Sequence, residues 1–462
     1  MSDTAFSTLK MHPDLLTNLT SLGYKEMTPI QAQSLPDILA GKDVIAQGKT
    51  GSGKTAAFGL GLIEKLDAKQ YSVQSLVLCP TRELADQVTK EIRRLARTRP
   101  NIKVLTLCGG MPFGPQVGSL EHGAHVIVGT PGRVGDHLRR ETLTLKNVNT
   151  LVLDEADLML DMGFQAELDA IVGQIPKWRQ TLLFSATFPD QIKAISRRIM
   201  IKPVMVEVES THDQSSISQH FYQVESDEER MTALRLLLLQ HKPEATLVFC
   251  NTKRETESVA DQLTGFGFSA LALNGDLEQR DRDQTMVRFA NKSVSILVAT
   301  DVAARGLDID LLDAVVNYEI AHDPEVHVHR IGRTGRAGSK GVAYSMFSAK
   351  NGYKITMLGD YINRVIEGEA LPPLTILNTQ PMKPLMATLQ ITGGKKQKIR
   401  PGDILGALTG EHGIAGKQVG KIHILDNWAY VAVTRDAVKI ALKKLGEGQL
   451  KGRACRVRLI GE

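Results

Sequence analysis

From about Gly41 to Val206, short and wholly apolar runs alternate with amphipathic stretches. Ser75-Leu76-Val77-Leu78-Cys79, Val104-Leu105-Thr106-Leu107, His125-Val126-Ile127-Val128 and Thr181-Leu182-Leu183-Phe184 are such runs. Continuous apolar segments of this length suit strands buried on both faces, so the pattern predicts a parallel sheet with helices on each side. Chemistry is then expected at the carboxyl ends of the strands. Glu209 to Ser216 is polar and aperiodic and reads as a linker. A second α/β series follows, with runs Thr246–Phe249, Ala270–Leu273, Ser295–Val298 and Ala314–Asn317. After a Pro-bearing stretch from Leu371 to Pro384, the pattern changes to Met386–Thr392, Pro401–Gly410, Gln418–Ile424, Trp428–Val433, Arg435–Leu445 and Arg453–Leu459. That order fits βαββαβ, a small α+β ferredoxin-like unit. The expected organisation is a first α/β domain over 1–207, a linker over 208–216, a second α/β domain over 217–372 and a small domain over 383–462.

A chain of 462 residues is too long for one core, which agrees with several domains. Its 42% apolar and 23% charged content is that of an ordinary water-soluble protein. No apolar run approaches the roughly 18 residues needed to span a bilayer. Met1 to Phe6 offers neither a basic nor an apolar leader region, so no secretory signal is expected. Cys79, Cys108, Cys250 and Cys455 lack metal-ligand spacing and read as buried free thiols of a reducing, cytoplasmic compartment. The net charge of +5 conceals an asymmetry. Residues 383–462 carry 15 Lys and Arg against 6 Asp and Glu, a net of +9, and leave −4 on the rest. A basic end on a slightly acidic body suggests a nucleic-acid module attached to an engine.

The engine has its own signature. Gly48-Lys49-Thr50-Gly51-Ser52-Gly53-Lys54-Thr55 follows a strand-like run and precedes the helix-compatible Ala56–Leu60. This is the P-loop pattern in the context it needs. The glycines let backbone N–H groups close around phosphate oxygens, and the helix start adds positive potential. Lys54 is placed to reach the β- and γ-phosphates of a nucleotide and Thr55 to ligate Mg²⁺. About a hundred residues later, Asp154-Glu155-Ala156-Asp157 ends the apolar run Leu151-Val152-Leu153. It supplies a carboxylate for the metal, Asp154, and another to handle water, Glu155.

Further segments fall in order around these two. They are Thr28-Pro29-Ile30-Gln31, Pro80-Thr81-Arg82-Glu83-Leu84-Ala85, Gly109-Gly110, Thr130-Pro131-Gly132-Arg133 and Ser185-Ala186-Thr187. In the second half stand Ala299-Thr300-Asp301 through Gly306-Leu307-Asp308-Ile309 and His329-Arg330-Ile331-Gly332-Arg333-Thr334-Gly335-Arg336. Over roughly residues 1–370 the chain closely resembles the DEAD-box family of ATP-dependent RNA helicases. The resemblance implies two tandem RecA-like domains followed by a small RNA-recognition-like (RRM-like) domain. It further implies that Gln31 selects adenine, with Tyr24 stacked on the base, and that Asp308 accepts from a ribose hydroxyl. Gln31 also reads as an ordinary helix-start residue, and Phe6 as a brace for this segment or a core residue. Arg333 and Arg336, three apart and therefore on one face of a helical turn, become arginine fingers supplied by the second domain. His329 couples the acidic motif to Ser185 and Thr187, or is a structural histidine. In this sequence Asn274, Leu158 and Gly48 depart from the family pattern, which has His, Arg and Ala there; none removes a catalytic group.

Arg82, Gly109, Gly110, Thr130 and Arg133 are candidates for an RNA track. Helix starts, glycine turns and arginines all suit phosphates, although the glycines also read as plain tight turns. Thr252, Gln279, Arg282 and Thr300 continue the track across the second domain. In the last domain Trp428 and Tyr430 alternate with small residues and share one strand face. They read equally as base-stacking aromatics or as core. Lys395, Lys396, Lys398 and Arg400 read as a phosphate clamp. The resemblance of this basic domain points to large-subunit (23S) ribosomal RNA as partner and to ribosome assembly as context. The expected activity is RNA-stimulated ATP hydrolysis with local duplex unwinding, using ATP and Mg²⁺, in a cytoplasmic monomer. An ATP-gated RNA clamp and a DNA translocase are the rivals.

Overall fold

In a computed structural model of the chain, residues 4–48, 51–208, 217–304, 312–335 and 340–461 are described. Lys49, Thr50, Asp308, Arg336 and the linker residues 209–216 lie outside them. The chain divides into two compact units, residues 1–211 with 306–308, and 212–305 with 309–462.

The first unit holds seven strands: β1 (Val44–Gln47), β2 (Ser75–Leu78), β3 (Val104–Leu107), β4 (Val126–Gly129), β5 (Thr150–Asp154), β6 (Gln180–Ser185) and β7 (Val204–Glu207). They form one all-parallel sheet in the order β3-β4-β2-β5-β6-β1-β7. Val77, Val128, Val152 and Leu182 feed the core on one face, and Leu76, Ile127, Leu151 and Leu183 that on the other. Such two-sided burial is why the strands read as unbroken apolar runs.

The second unit repeats the plan with β8 (Ile217–Gln223), β9 (Thr246–Phe249), β10 (Ala270–Leu273), β11 (Ile296–Ala299), β12 (Ala314–Asn317) and β13 (Gly341–Phe347). Their order is β10-β11-β9-β12-β13-β8, again parallel throughout. The same unit ends in an antiparallel sheet of β14 (Met386–Thr392), β15 (Val419–Ile424), β16 (Trp428–Thr434) and, after the two-residue hairpin strands β17 (Gln449–Leu450) and β18 (Arg453–Ala454), β19 (Val457–Ile460). The order β15-β16-β14-β19, with helices Pro401–Thr409 and Val438–Glu447 between strands, is the ferredoxin-like βαββαβ arrangement expected from the sequence. The single run expected over Arg453–Leu459 is broken into β18 and β19. All four cysteines are free and buried. Among the described residues no helix is long and apolar enough to cross a membrane.

One buried group sets a pH dependence. His327, in the helix Pro324–Ile331, is 1% exposed and stacks on Phe221 at 6.0 Å and 18°. Neither ring nitrogen finds a hydrogen-bond partner among the described residues. Burial, helped by the Arg330 charge, pushes its pKa down to about 3. An unfolded histidine titrates near 6.5, so between those values the unfolded chain holds the extra proton. The stability this neutral ring allows is present above pH 6.5 and is lost as pH falls, by up to about 1.4 kcal/mol per pH unit. In denaturant titrations at pH 7 and pH 5, the parent should therefore lose about 2 kcal/mol relative to His327→Leu. Equal pH slopes in the two proteins would contradict the assignment.

Candidate nucleotide and RNA site at the strand ends

The first sheet presents its chemistry at one rim, and the strand order sorts it. β5, β6 and β1 are neighbours, and their carboxyl ends carry Asp154-Glu155, Ser185 and Gly48. β3, β4 and β2 are also neighbours, and theirs lead to Gly109-Gly110, Thr130 and Arg82.

At the first group, the helix Lys54–Lys65 starts from Gly53, whose φ of 94° is left-handed and favours glycine. Gly51 is also left-handed, at φ 85°. The Lys54 ammonium is buried and donates to the Gly48 carbonyl at 2.5 Å. Thr28 caps the helix Pro29–Leu39 together with Gln31 in a capping box. The Gln31 oxygen accepts from the Thr28 N–H at 2.9 Å, and its amide nitrogen donates to the Gly53 carbonyl at 3.0 Å. The Thr28 hydroxyl adds a bond to the Ser52 carbonyl at 2.7 Å. Gln31 is thus a helix-start residue and, at the same time, the tie between that helix and the P-loop. Tyr24 is half-buried and donates to Glu91 at 2.6 Å; burial and that carboxylate push its pKa up to about 12. Phe6 meets Tyr24 edge-on at 6.0 Å and lies in the core, so it both braces and packs.

Asp154 is 2% exposed, and burial raises its carboxyl to about 7 against the pull of Lys54. Glu155, also buried, starts the helix Ala156–Asp161 with φ 50°. A side chain there adopts a backbone conformation rare outside glycine, as at many functional positions. Asp157, which motif spacing alone did not single out, holds the next strand end. Its carboxylate accepts from the Thr187 N–H at 3.1 Å and the Thr187 hydroxyl at 2.9 Å. The acidic turn and Ser185-Ala186-Thr187 are therefore mechanically joined within the first unit. The Ser52 and Ser185 hydroxyls are buried without a hydrogen-bond partner among the described residues. Hard oxygen donors, the Thr55 hydroxyl and the Asp154 carboxylate, together with these unspent hydroxyls, fit a Mg²⁺-bearing triphosphate.

At the second group, Arg82 and Arg133 converge on the loop after Gly110, which is left-handed at φ 71°. Arg82 reaches the Met111 sulfur at 3.2 Å, and Arg133 donates to the Met111 carbonyl at 2.9 Å and to Gln116 at 3.1 Å. Gln116, not foreseen from the sequence, also ties down the Cys108 carbonyl and His137. One guanidinium nitrogen of each arginine, Arg82 Nη1 and Arg133 Nε, is buried without a hydrogen-bond partner among the described residues. Open space lies beside Gly109. This half of the rim suits an anionic backbone.

In the second unit, Arg330 is the hub that sequence reasoning passed over. It is 2% exposed and grips Asp301 with two bonds of 2.7 Å, Asn251 at 2.8 Å and the Glu319 carbonyl at 2.8 Å. It fastens together the segments that follow β9, β11 and β12. His329 is half-buried beside it. Arg333 is 7% exposed and lies beyond the helix, which ends at Ile331. The expectation that Arg333 and Arg336 ride one helical turn is thereby corrected for Arg333: Gly332 breaks the helix, and Thr334 bridges to Leu312. Thr252 and Thr300 cap helix starts, accepting from Glu255 N at 3.2 Å and Ala303 N at 3.4 Å. Arg282 is held by the carbonyls of Asn274 and Ala303. Asn274 is fully buried and donates to Glu257 at 2.9 Å. Leu158 is core. In the last sheet Lys395, Lys396, Lys398 and Arg400 are exposed on one connection.

Residues 28–195 match the DEAD/DEAH box helicase family, 229–338 the helicase conserved C-terminal domain, and 388–459 the DbpA RNA binding domain. The chain is 54% identical over 458 residues to ATP-dependent RNA helicase DbpA of Escherichia coli K12, covering 99% of this chain and 100% of that protein. The chain belongs to the DEAD-box family of ATP-dependent RNA helicases. Another member, DEAD-box ATP-dependent RNA helicase CshA of Bacillus cereus, is 45% identical over 340 residues, 74% of this helicase and 65% of its own length. Among solved structures, S. cerevisiae Dbp5 bound to RNA and ADP BeF3 superposes with a TM-score of 0.71 at 31% identity, over 80% of this helicase and 96% of that chain. The two parallel sheets are the RecA-like domains of the DEAD-box motor, and the last sheet is its DbpA-type RNA-binding domain.

Proposed function

We propose that this helicase is an RNA-stimulated ATPase that parts short RNA duplexes, is directed by residues 383–462 to 23S ribosomal RNA, and acts in the cytoplasm in assembly of the large ribosomal subunit. The observation that carries the reading is the pairing of a DEAD-box motor with a compact domain of net charge +9 whose lysine-rich connection is exposed. Domains over 1–207, 217–372 and 383–462, joined by the linker 208–216, are the working division.

In this scheme the P-loop from Gly48 to Thr55 holds the triphosphate, Lys54 its outer phosphates, and Gln31 and Tyr24 the adenine. Thr55 and Asp154 would hold Mg²⁺, which supplies charge neutralisation on the phosphates when bound. Glu155 orients or deprotonates the attacking water. Asp157 and Thr187 carry the state of the acidic turn to the neighbouring strand end, and Ser185 and His329 extend that link. Asp308 takes the ribose, and Arg333 and Arg336 stabilise charge on the transferred phosphoryl group. Arg82, Gly109, Gly110, Thr130, Arg133 and Thr300 hold the RNA backbone. Phosphate and 2′-hydroxyl contacts are common to every RNA, so discrimination falls to the last domain. Lys395, Lys396, Lys398 and Arg400 clamp its phosphates.

Removal of residues 383–462 should leave an ATPase that responds alike to ribosomal and unrelated RNA of equal length. The full chain should prefer 23S RNA by about tenfold or more. Its RNA affinity should fall steeply with added salt, because each neutralised phosphate contributes to the slope. Selectivity that survives the truncation would move recognition into the motor.

A further inference from the structure

The four-stranded sheet of the RNA-binding domain is covered on both faces. Alternate residues Leu389, Ile391, Ala429, Val431 and Val433 pack with that domain's own two helices. The intervening set includes Thr388, Gln390, Trp428, Tyr430 and Ile460, aligned by the pairings Gln390 with Tyr430 and Thr388 with Ile460. On a free sheet this face would be wet. Instead Thr388 is 0% exposed, and Gln390 and Tyr430 are 1% exposed.

What covers it is the helix Gln279–Ala290 of the second RecA-like domain and the turn that follows. Val287 forms a closed apolar cluster with Tyr430 and Ile460, and Leu425 and Trp428 pack at its edge. The Arg280 guanidinium stands 5.4 Å over the Trp428 ring. Asn291 donates to the Thr388 hydroxyl at 3.1 Å, and the Ser293 hydroxyl pairs with it at 2.7 Å. The Tyr430 hydroxyl accepts from Gln390 at 2.9 Å, and Gln390 in turn accepts from Arg458 at 2.6 Å. Gly461 lies so close to the Arg288 side chain that a Cβ there would overlap it. The hydrogen bonds of Asn291 and Ser293 to Thr388 cross the boundary, and apolar packing lies beside them, which together mark a built interface.

We infer that the Trp428–Tyr430 face of the RNA-binding domain is an intramolecular docking face for the helix Gln279–Ala290, which fixes the RNA-binding domain on the motor, and that it is not a base-stacking platform. Stacking needs a free ring face. Arg280 stands over that of Trp428, and Tyr430 has none in solvent. The same helix begins with Gln279 and Arg282, candidates for the RNA track. A domain mounted on it holds its RNA at a set distance and orientation from that track, where a flexible tether would only raise local concentration. The inference rests on the reading that residues 383–462 hold the targeted RNA.

The test uses the full-length chain with Val287→Asp, on the motor side, and Trp428→Ala, on the sheet side. A 23S ribosomal RNA fragment bearing a flanking duplex is the probe. Amide exchange along Trp428–Thr434 should accelerate about tenfold or more in both variants. Affinity for the RNA should stay within about twofold of the parent. Basal ATPase should be unchanged, and unwinding of the flanking duplex should fall about fivefold or more in both. Arg280→Ala, which removes the cation over Trp428 and leaves the cluster of Val287, Tyr430 and Ile460 intact, should show the same changes at smaller amplitude and guards against misfolding of the aspartate variant. A drop in affinity of about tenfold or more in Trp428→Ala alone would identify a stacking platform and overturn the inference. Unchanged exchange in Val287→Asp would overturn it too. Failure of the parent to prefer ribosomal over unrelated RNA would instead defeat the targeting reading and leave the dock standing.

Discussion

Glu155→Gln is expected to bind ATP normally and to lose about 10²–10⁴-fold in RNA-stimulated turnover, the usual span for a positioned general base. The exchange is nearly isosteric, so the left-handed backbone at residue 155 and the start of the helix Ala156–Asp161 are retained. Only the ability to take a proton and to fix a water by charge is removed. Asp154 keeps its buried position beside the Lys54 charge, so nucleotide affinity should move little. Single-turnover hydrolysis and equilibrium nucleotide binding measured on the same protein separate the two. Near-parent hydrolysis in Glu155→Gln would assign water handling to another group.

Arg333→Ala and Arg336→Ala should each lower RNA-stimulated turnover, with a combined loss of about 10³–10⁵-fold if both act as fingers. They should spare ATP binding, because both fall in the segment matched by the helicase conserved C-terminal domain, residues 229–338, and the P-loop does not. Arg333 is 7% exposed and sits just past the helix that presents the Arg330 hub, so its backbone is held by structure that the substitution leaves intact. Lysine should not rescue either position, since a point charge does not reproduce the planar donor fork. Turnover measured with and without saturating RNA is the check. Equal RNA-stimulated rates in variant and parent would exclude the finger role.

The P-loop and the acidic turn were legible in the sequence because the residues of each are contiguous. A glycine-rich turn followed by Lys54-Thr55, and Asp154-Glu155 after an apolar run, state their geometry within a few residues. Both parallel sheets were legible for a similar reason: strands buried on two faces spell themselves as unbroken apolar runs. Arg330 was not legible, since its partners Asn251, Asp301 and Glu319 come from three different connections and meet only after the sheet has ordered them. Asp157 and Gln116 stayed hidden for the same reason, being defined by Thr187 and Arg133 at a distance. The alternation around Trp428 and Tyr430 told that the two rings share a face; what lies against that face is a tertiary fact carried by Val287 and Arg280. Gly332 ending the helix ahead of Arg333 was readable as a break, and periodic spacing of the arginines obscured it.

The order β3-β4-β2-β5-β6-β1-β7 has an evolutionary corollary. Loops that suit an RNA backbone rise from one contiguous half of the rim and loops that suit a nucleotide from the other, and the halves meet only along the seam of β2 and β5. On the proposed assignment, substitutions after Leu107, Gly129 or Leu78 would alter grip on a polymer and leave the loops after Gln47, Asp154 and Ser185 untouched. On the same assignment, changes flanking that seam are the ones that would reach both ligands at once, so inheritance would have least freedom there.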